Sequence, residues 1–129
     1  MKILSATPVL FVDHVEPTRD FFVRAGFNAI VEIPAGDALG FAILEKDGIQ
    51  VMVETRGNAA EPRAMQQLSW ESRRAAVFIE VDDVEAVIRA LEGAKVAVAR
   101  HPTPYGADEL TFEEPGGNLI TFAKIAQRP

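Results

Sequence analysis

Three glutamates, two histidines and four aromatic residues hold most of the chemistry this sequence can offer. Glu54, Glu80 and Glu109 each fall on or beside a short run with strand character. A carboxylate turned inward from a strand is costly unless it finds a partner. Grouped, the three could receive a cation; singly, each is satisfied by water at a strand end or by Arg24 or Arg100. Glu54 or Glu80 could also serve as a general base, although no residue pattern points to a substrate. Phe11, Phe78, Trp70 and Tyr105 supply flat rings of the kind found in ligand pockets and interfaces. Trp70 sits in a polar stretch, where a lid or a dimer contact explains it better than a core. Tyr105, between Pro104 and Gly106, belongs to a loop. Phe11 and Phe78 could simply fill space. His14 follows a strand candidate and looks exposed; His101 precedes Pro102 and opens a loop. A metal site built from these two and a glutamate is the less favoured reading, and no Ser-His-Asp pattern is persuasive. The chain contains no cysteine, which excludes thiolate nucleophiles, thiolate metal sites and disulfides. Its glycines form no phosphate-cradling Gly-x-x-x-x-Gly-Lys loop.

The elements that must position these residues show an internal echo. Residues 9–16 read Val-Leu-Phe-Val-Asp-His-Val-Glu and residues 78–85 read Phe-Ile-Glu-Val-Asp-Asp-Val-Glu, an offset of 69. Each apolar run is a strand candidate. Each following Asp-x-x-Glu, Asp13 with Glu16 and Asp82 with Glu85, reads as a helix N-cap with a capping-box partner. Pro17 suits the first helical position, and Phe21, Phe22 and Ala25 form an apolar face that Gly26 terminates. Val84, Val87, Ile88 and Leu91 repeat the helical spacing, with Gly93 as the stop. Strands are expected at Phe27–Ile33 and Lys95–Arg100. A hairpin closes each half: 41–47 and 49–54 around Asp47-Gly48, then 109–113 and 119–124 around Glu114–Asn118. Gly48 and Gly117 again differ by 69.

The predicted class is therefore α+β: two βαβββ repeats forming an open, cup-shaped mixed β-sheet with helices on the outer face. One domain spans 1–129, with repeat one at about 6–55, a polar linker at about 56–74 and repeat two at about 75–125. A length of 129 residues allows a sizeable core. The net charge of −6 argues against binding nucleic-acid phosphates and is compatible with a cationic ligand. No run approaches a membrane span and the first residues do not read as a signal peptide, so a cytoplasmic location is expected.

Taken in order, Pro8-Val-Leu-Phe-Val-Asp13, Arg24-Ala-Gly-Phe27, Val81-Asp-Asp83, Pro104-Tyr-Gly106 and Phe112-Glu-Glu-Pro-Gly-Gly-Asn-Leu-Ile120 resemble the vicinal oxygen chelate superfamily. That group includes glyoxalase I, extradiol dioxygenases, fosfomycin-modifying enzymes and bleomycin-resistance proteins. The resemblance covers Thr7 to Lys124. Its metal-dependent members place His, Gln or Glu ligands on the cup-facing sides of the first and last strands of both halves. Carried onto this chain, those four positions hold Thr7, Met52, Ala76 and Thr121. None supplies the imidazole or carboxylate that such ions require. Alternation then turns Val9, Phe11, Gln50, Glu54, Phe78, Glu80, Leu119 and Ala123 toward the cup. It turns Leu10, Val12, Val51, Val53, Val77, Ile79, Val81, Ile120 and Phe122 beneath the helices. The resemblance is strongest to the metal-free bleomycin-resistance branch. It implies a binder without cofactor, sequestering a cationic or aromatic ligand at a homodimer groove, with or without exchanged halves. Phe11, Met52, Glu54, Trp70, Phe78, Glu80, Tyr105, Glu109 and Thr121 are the implied contacts. A glyoxalase-type metal-dependent lyase, isomerase or dioxygenase is the alternative.

Overall fold

The computed structural model describes residues 1–56 and 74–126. The first half runs β1 (Val9–Val12), α1 (Val15–Arg24), β2 (Asn28–Ala35), β3 (Ala38–Lys46) and β4 (Ile49–Thr55). The second runs β5 (Ala76–Glu80), α2 (Val84–Ala90), β6 (Val96–Pro102), β7 (Ala107–Glu113) and β8 (Leu119–Ile125). Both halves adopt one strand order, β1-β4-β3-β2 and β5-β8-β7-β6. β1 runs parallel to β4 and β5 parallel to β8, while the remaining pairs are antiparallel. Val9 lies opposite Met52, and Phe78 opposite Thr121. Both partners shift together by 69 residues, so the echo in the sequence is also an echo in pairing register. The cup-shaped mixed sheet takes the form of two four-stranded sheets, one per half.

Strand alternation decides where the core sits. Leu10, Val12, Val51, Val53, Ile120 and Phe122 are all buried, and Val77, Ile79 and Val81 pack against them less completely. The helices add Val15, Phe21, Phe22, Val84 and Leu91, and the two halves share one continuous apolar cluster. Phe21 joins them directly, packing edge-on to Phe22 within its helix and to Phe112 of β7, 6.0 Å between centroids. Each such ring or aliphatic side chain stabilises the fold by roughly 1.5–3 kcal/mol on burial.

The ends of α1 show how local chemistry and tertiary contacts divide the work. At the C-terminus, Gly26 takes φ 100°. Its N–H donates to Val23 O and the Phe27 N–H to Phe22 O, and the Phe22 and Phe27 rings meet at 5.3 Å. This is a full Schellman stop with its apolar clasp. The N-terminus departs from expectation. The helix begins after His14, not after Asp13, and Pro17 is its third residue. Asp13 instead accepts from Arg56 Nη1 at 2.6 Å, and Glu16 accepts from the Leu39 N–H at 2.8 Å. In α2 the cap is likewise one residue later than expected, with Asp83 accepting from the Ala86 N–H at 3.1 Å. Glu85 pairs with Arg100 rather than closing a capping box. Strand ends also move by one to three residues, and His101 lies within β6 rather than opening a loop.

The two hairpins differ. Asp47 and Gly48 both have positive φ, 52° and 79°, as a two-residue type I′ turn demands. The longer Glu114–Asn118 turn is a docking element. Glu114 is buried and accepts from Thr18 Oγ1 on α1 (2.6 Å), from the Gly116 and Asn118 N–H groups (2.7 and 2.9 Å) and from Asn118 Nδ2 (2.8 Å). A Cβ at Gly116 would stand 2.2 Å from Val12 Cγ1, so only glycine lets this turn close onto the first half. No helix among the described residues is long and apolar enough to cross a membrane.

Candidate ligand-binding faces

The face of each sheet turned away from the core carries the expected site residues in transverse rows. In the first half one row reads Val9, Met52, Ile43, Val31, and the next Phe11, Glu54, Phe41, Ile33. In the second half the equivalent rows read Phe78, Thr121, Thr111, Val98 and Glu80, Ala123, Glu109, His101. Neighbouring strands are about 4.8 Å apart, so Glu80 and Glu109 stand roughly 10 Å apart across the small, buried Ala123.

The first face is apolar around Glu54, which lies between Phe11 and Phe41, and turns polar at a further row, where Gln50 donates to Glu45 at 2.8 Å. The second is polar. Thr111 and Thr121 share a hydrogen bond of 2.7 Å between their hydroxyls. Tyr105 reaches in from the β6–β7 loop and donates to Glu109 Oε2 at 2.7 Å. That bond holds the Tyr105 proton more tightly, raising its pKa above the ordinary phenol value. The Glu109 side chain is only 14% exposed, and His101 Nε2 lies 3.8 Å from its Oε1. Phe78 is 51% exposed and Tyr105 56%. The two arginines named as alternative carboxylate partners bond elsewhere. Arg24 donates to Glu92 O at 2.6 Å, and Arg100 binds Asp108 and Glu85 on the opposite side of its sheet. That network holds the Asp108 and Glu85 carboxyls below their usual range.

Of the nine expected contacts, Glu80, Glu109, Phe78, Thr121 and Tyr105 gather on the second face, while Phe11, Met52 and Glu54 gather on the first. Trp70 lies outside the described residues. His101 was not among the expected contacts. Its signal was visible only as a histidine eight residues before Glu109; the β6–β7 pairing places the two side by side. A half-open cleft of about 580 Å³ lies between the end of α1, the Asp47-Gly48 turn and the β5–α2 corner, and Glu80 is the one residue of these rows that lines it. Phe27, Ile79 and Phe122 line it, and it marks a seam between the halves.

The four positions that the resemblance aligns with metal ligands carry neither imidazole nor carboxylate. Met52 and Thr121 lie in strands at equivalent register, Ala76 opens β5, and Thr7 precedes β1. Two hydroxyls, a thioether and a methyl group are no donor set for such an ion. Among the described residues no group of three or more His, Cys, Asp or Glu side chains could hold one.

A duplicated βαβββ chain with two open, ligand-sized faces defines a fold class shared by binders and enzymes. The model of the Glyoxalase/Bleomycin resistance protein/Dioxygenase superfamily matches residues 3–122, and the chain belongs to that superfamily. No curated protein matches it. Solved structures share its fold. TioX from Micromonospora sp. ML1 is 21% identical, with a TM-score of 0.76 over 94% of this chain and 98% of that one. TnmS3, an antibiotic binding protein from Streptomyces sp. CB03234, is 20% identical, with a TM-score of 0.65 over 98% and 100%. A bleomycin-binding protein complexed with bleomycin is 16% identical, with a TM-score of 0.66 over 95% and 98%.

Proposed function

We propose that this protein is a metal-independent binder that sequesters a small cationic, partly aromatic molecule in a groove completed by a second copy of the chain. The observation that carries this reading is the pairing of aromatic and carboxylate side chains on faces that, among the described residues, assemble no group of three or more His, Cys, Asp or Glu able to hold a metal: Phe78 and Tyr105 beside Glu80 and Glu109, and Phe11 and Phe41 around Glu54. Rings stack on an aromatic body, and the carboxylates, of which Glu109 is largely shielded, attract its charge. That bleomycin-binding and antibiotic-binding proteins share the fold supports a binding role. Pairing of two chains would cover the exposed apolar side chains Ile33, Phe78, Val96 and Val98. The reading places the protein in the cytoplasm as a homodimer.

The single tryptophan, Trp70, makes a fluorescence titration direct. Bleomycin and other cationic aromatic compounds should give saturable quenching, and sedimentation should return twice the chain mass. Linear, non-saturating responses to the whole panel would count against the reading.

A further inference from the structure

Resting on the reading above, we propose that Glu109 Oε1 and Nε2 of neutral His101 form a two-acceptor seat for the protonated amine of the ligand, so that this amine and a proton on His101 exclude one another. The seat follows from what each atom already does. His101 Nδ1 lies 2.8 Å from Ala99 O. A carbonyl oxygen only accepts, so Nδ1 carries the ring hydrogen, and in the neutral ring Nε2 is a bare acceptor. Glu109 Oε2 receives the Tyr105 hydroxyl at 2.7 Å, which aims Oε1 at the imidazole. Nε2 and Oε1 are 3.8 Å apart, too far for a hydrogen bond with each other. One ammonium nitrogen can stand at ordinary hydrogen-bond distance, about 2.9 Å, from both. A carboxylate only 14% exposed gains strongly from such a charged donor.

A proton on Nε2 satisfies the same carboxylate from within the protein. It also replaces an acceptor by a donor and adds a positive charge where the ammonium would sit. The surrounding charges leave this competition to His101. On its own strand and on α2, Arg100 and Glu85 bind each other. On β7, Asp108 is held by Arg100. On β8, Lys124 stands opposite Asp108. On β5, Glu80 lies across Ala123 and adds negative charge to the row. Imidazole is the group among these whose ordinary titration range lies nearest neutrality.

The chain has only two histidines, and His14, the exposed N-cap of α1, serves as an internal control. Long-range ¹⁵N NMR of both rings through a pH titration tests the seat, with 4-phenylbutylamine as probe and 4-phenyl-1-butanol as its neutral analogue. Complete exclusion at ten times the amine's Kd lowers the His101 midpoint by about one pH unit. His14 should stay unmoved, the alcohol should shift neither histidine, and Glu109→Gln should abolish the His101 effect. If the amine perturbs the Phe78 and Thr121 amides but leaves the His101 midpoint in place, the seat is wrong and the binding reading stands. If neither compound perturbs either face at its solubility limit, both fall together.

Discussion

The two halves share a strand order and a pairing register, yet they present opposite surfaces on equivalent rows. Where the first half sets Glu54 between Phe11 and Phe41, the second sets Ala123 between Glu80 and Glu109, with Tyr105 and His101 at the side. Where the first has Met52, the second has Thr121 bonded to Thr111. The core-facing rows stay aliphatic and aromatic in both. Duplication therefore preserves what packs, while the rows facing outward are free to diverge. The difference also suits an amphipathic ligand, with its apolar body on a face of the first kind and its charge on one of the second.

The contrast is sharpest between two hairpin glutamates, Glu114 of the second half and Glu45 of the first. Glu114 is buried with donors from Thr18, Gly116 and Asn118, whereas Glu45 accepts from Gln50 on a half-exposed hairpin. Glu114→Ala should cost about 3 kcal/mol or more, because it strands buried donors at the joint between the halves. Glu45→Ala should stay within about 0.5 kcal/mol. Equal costs in urea unfolding would erase the distinction. Next in size comes the division between faces of one strand. Leu10→Ala should cost about 3 kcal/mol and Val9→Ala less than about 1, since Leu10 is fully buried and Val9 is 38% exposed. Smaller again, Thr121→Val should cost about 1 kcal/mol by orphaning the Thr111 hydroxyl, read as a lower urea midpoint.

Acid should separate the halves most gently. Backbone N–H groups of Leu39 and of Glu16 itself hold the Glu16 carboxyl below its usual range. Arg100 does the same for Glu85 and Asp108, and Lys95 for Glu113. A carboxylate depressed in the folded state adds stability that is complete above its unfolded value, about 4, and fades as pH falls through the lower folded value. Three of the four lie in the second half. Amide exchange there should accelerate first below pH 4, and Asp108→Asn should blunt the difference.

Topology was legible because its signals are local. Asp47-Gly48 needs only its own backbone to turn, and the Gly26 stop needs only the helix before it. Alternation placed Leu10, Val12, Val51 and Val53 in the core for the same reason. What escaped depends on distant chain. Asp13 could not be told from a cap without Arg56, 43 residues on, and Glu16 without Leu39. Glu114 read as turn chemistry because its burial comes from α1, far back in sequence. His101 read as the start of a loop because Pro102 follows it. The edge strand β6 tolerates a terminal proline, and only its pairing with β7 brings His101 to Glu109.

Metal dependence is decided by calorimetric titrations of one preparation, stripped by chelator and then reloaded with Zn²⁺, Ni²⁺, Mn²⁺ or Fe²⁺ and freed of unbound ion, with 4-phenylbutylamine as the injected ligand. Metal-independent sequestration predicts saturable binding of equal affinity in every case, with no stoichiometric ion retained by the protein. An ion held one per chain, with binding lost on its removal, would contradict the account.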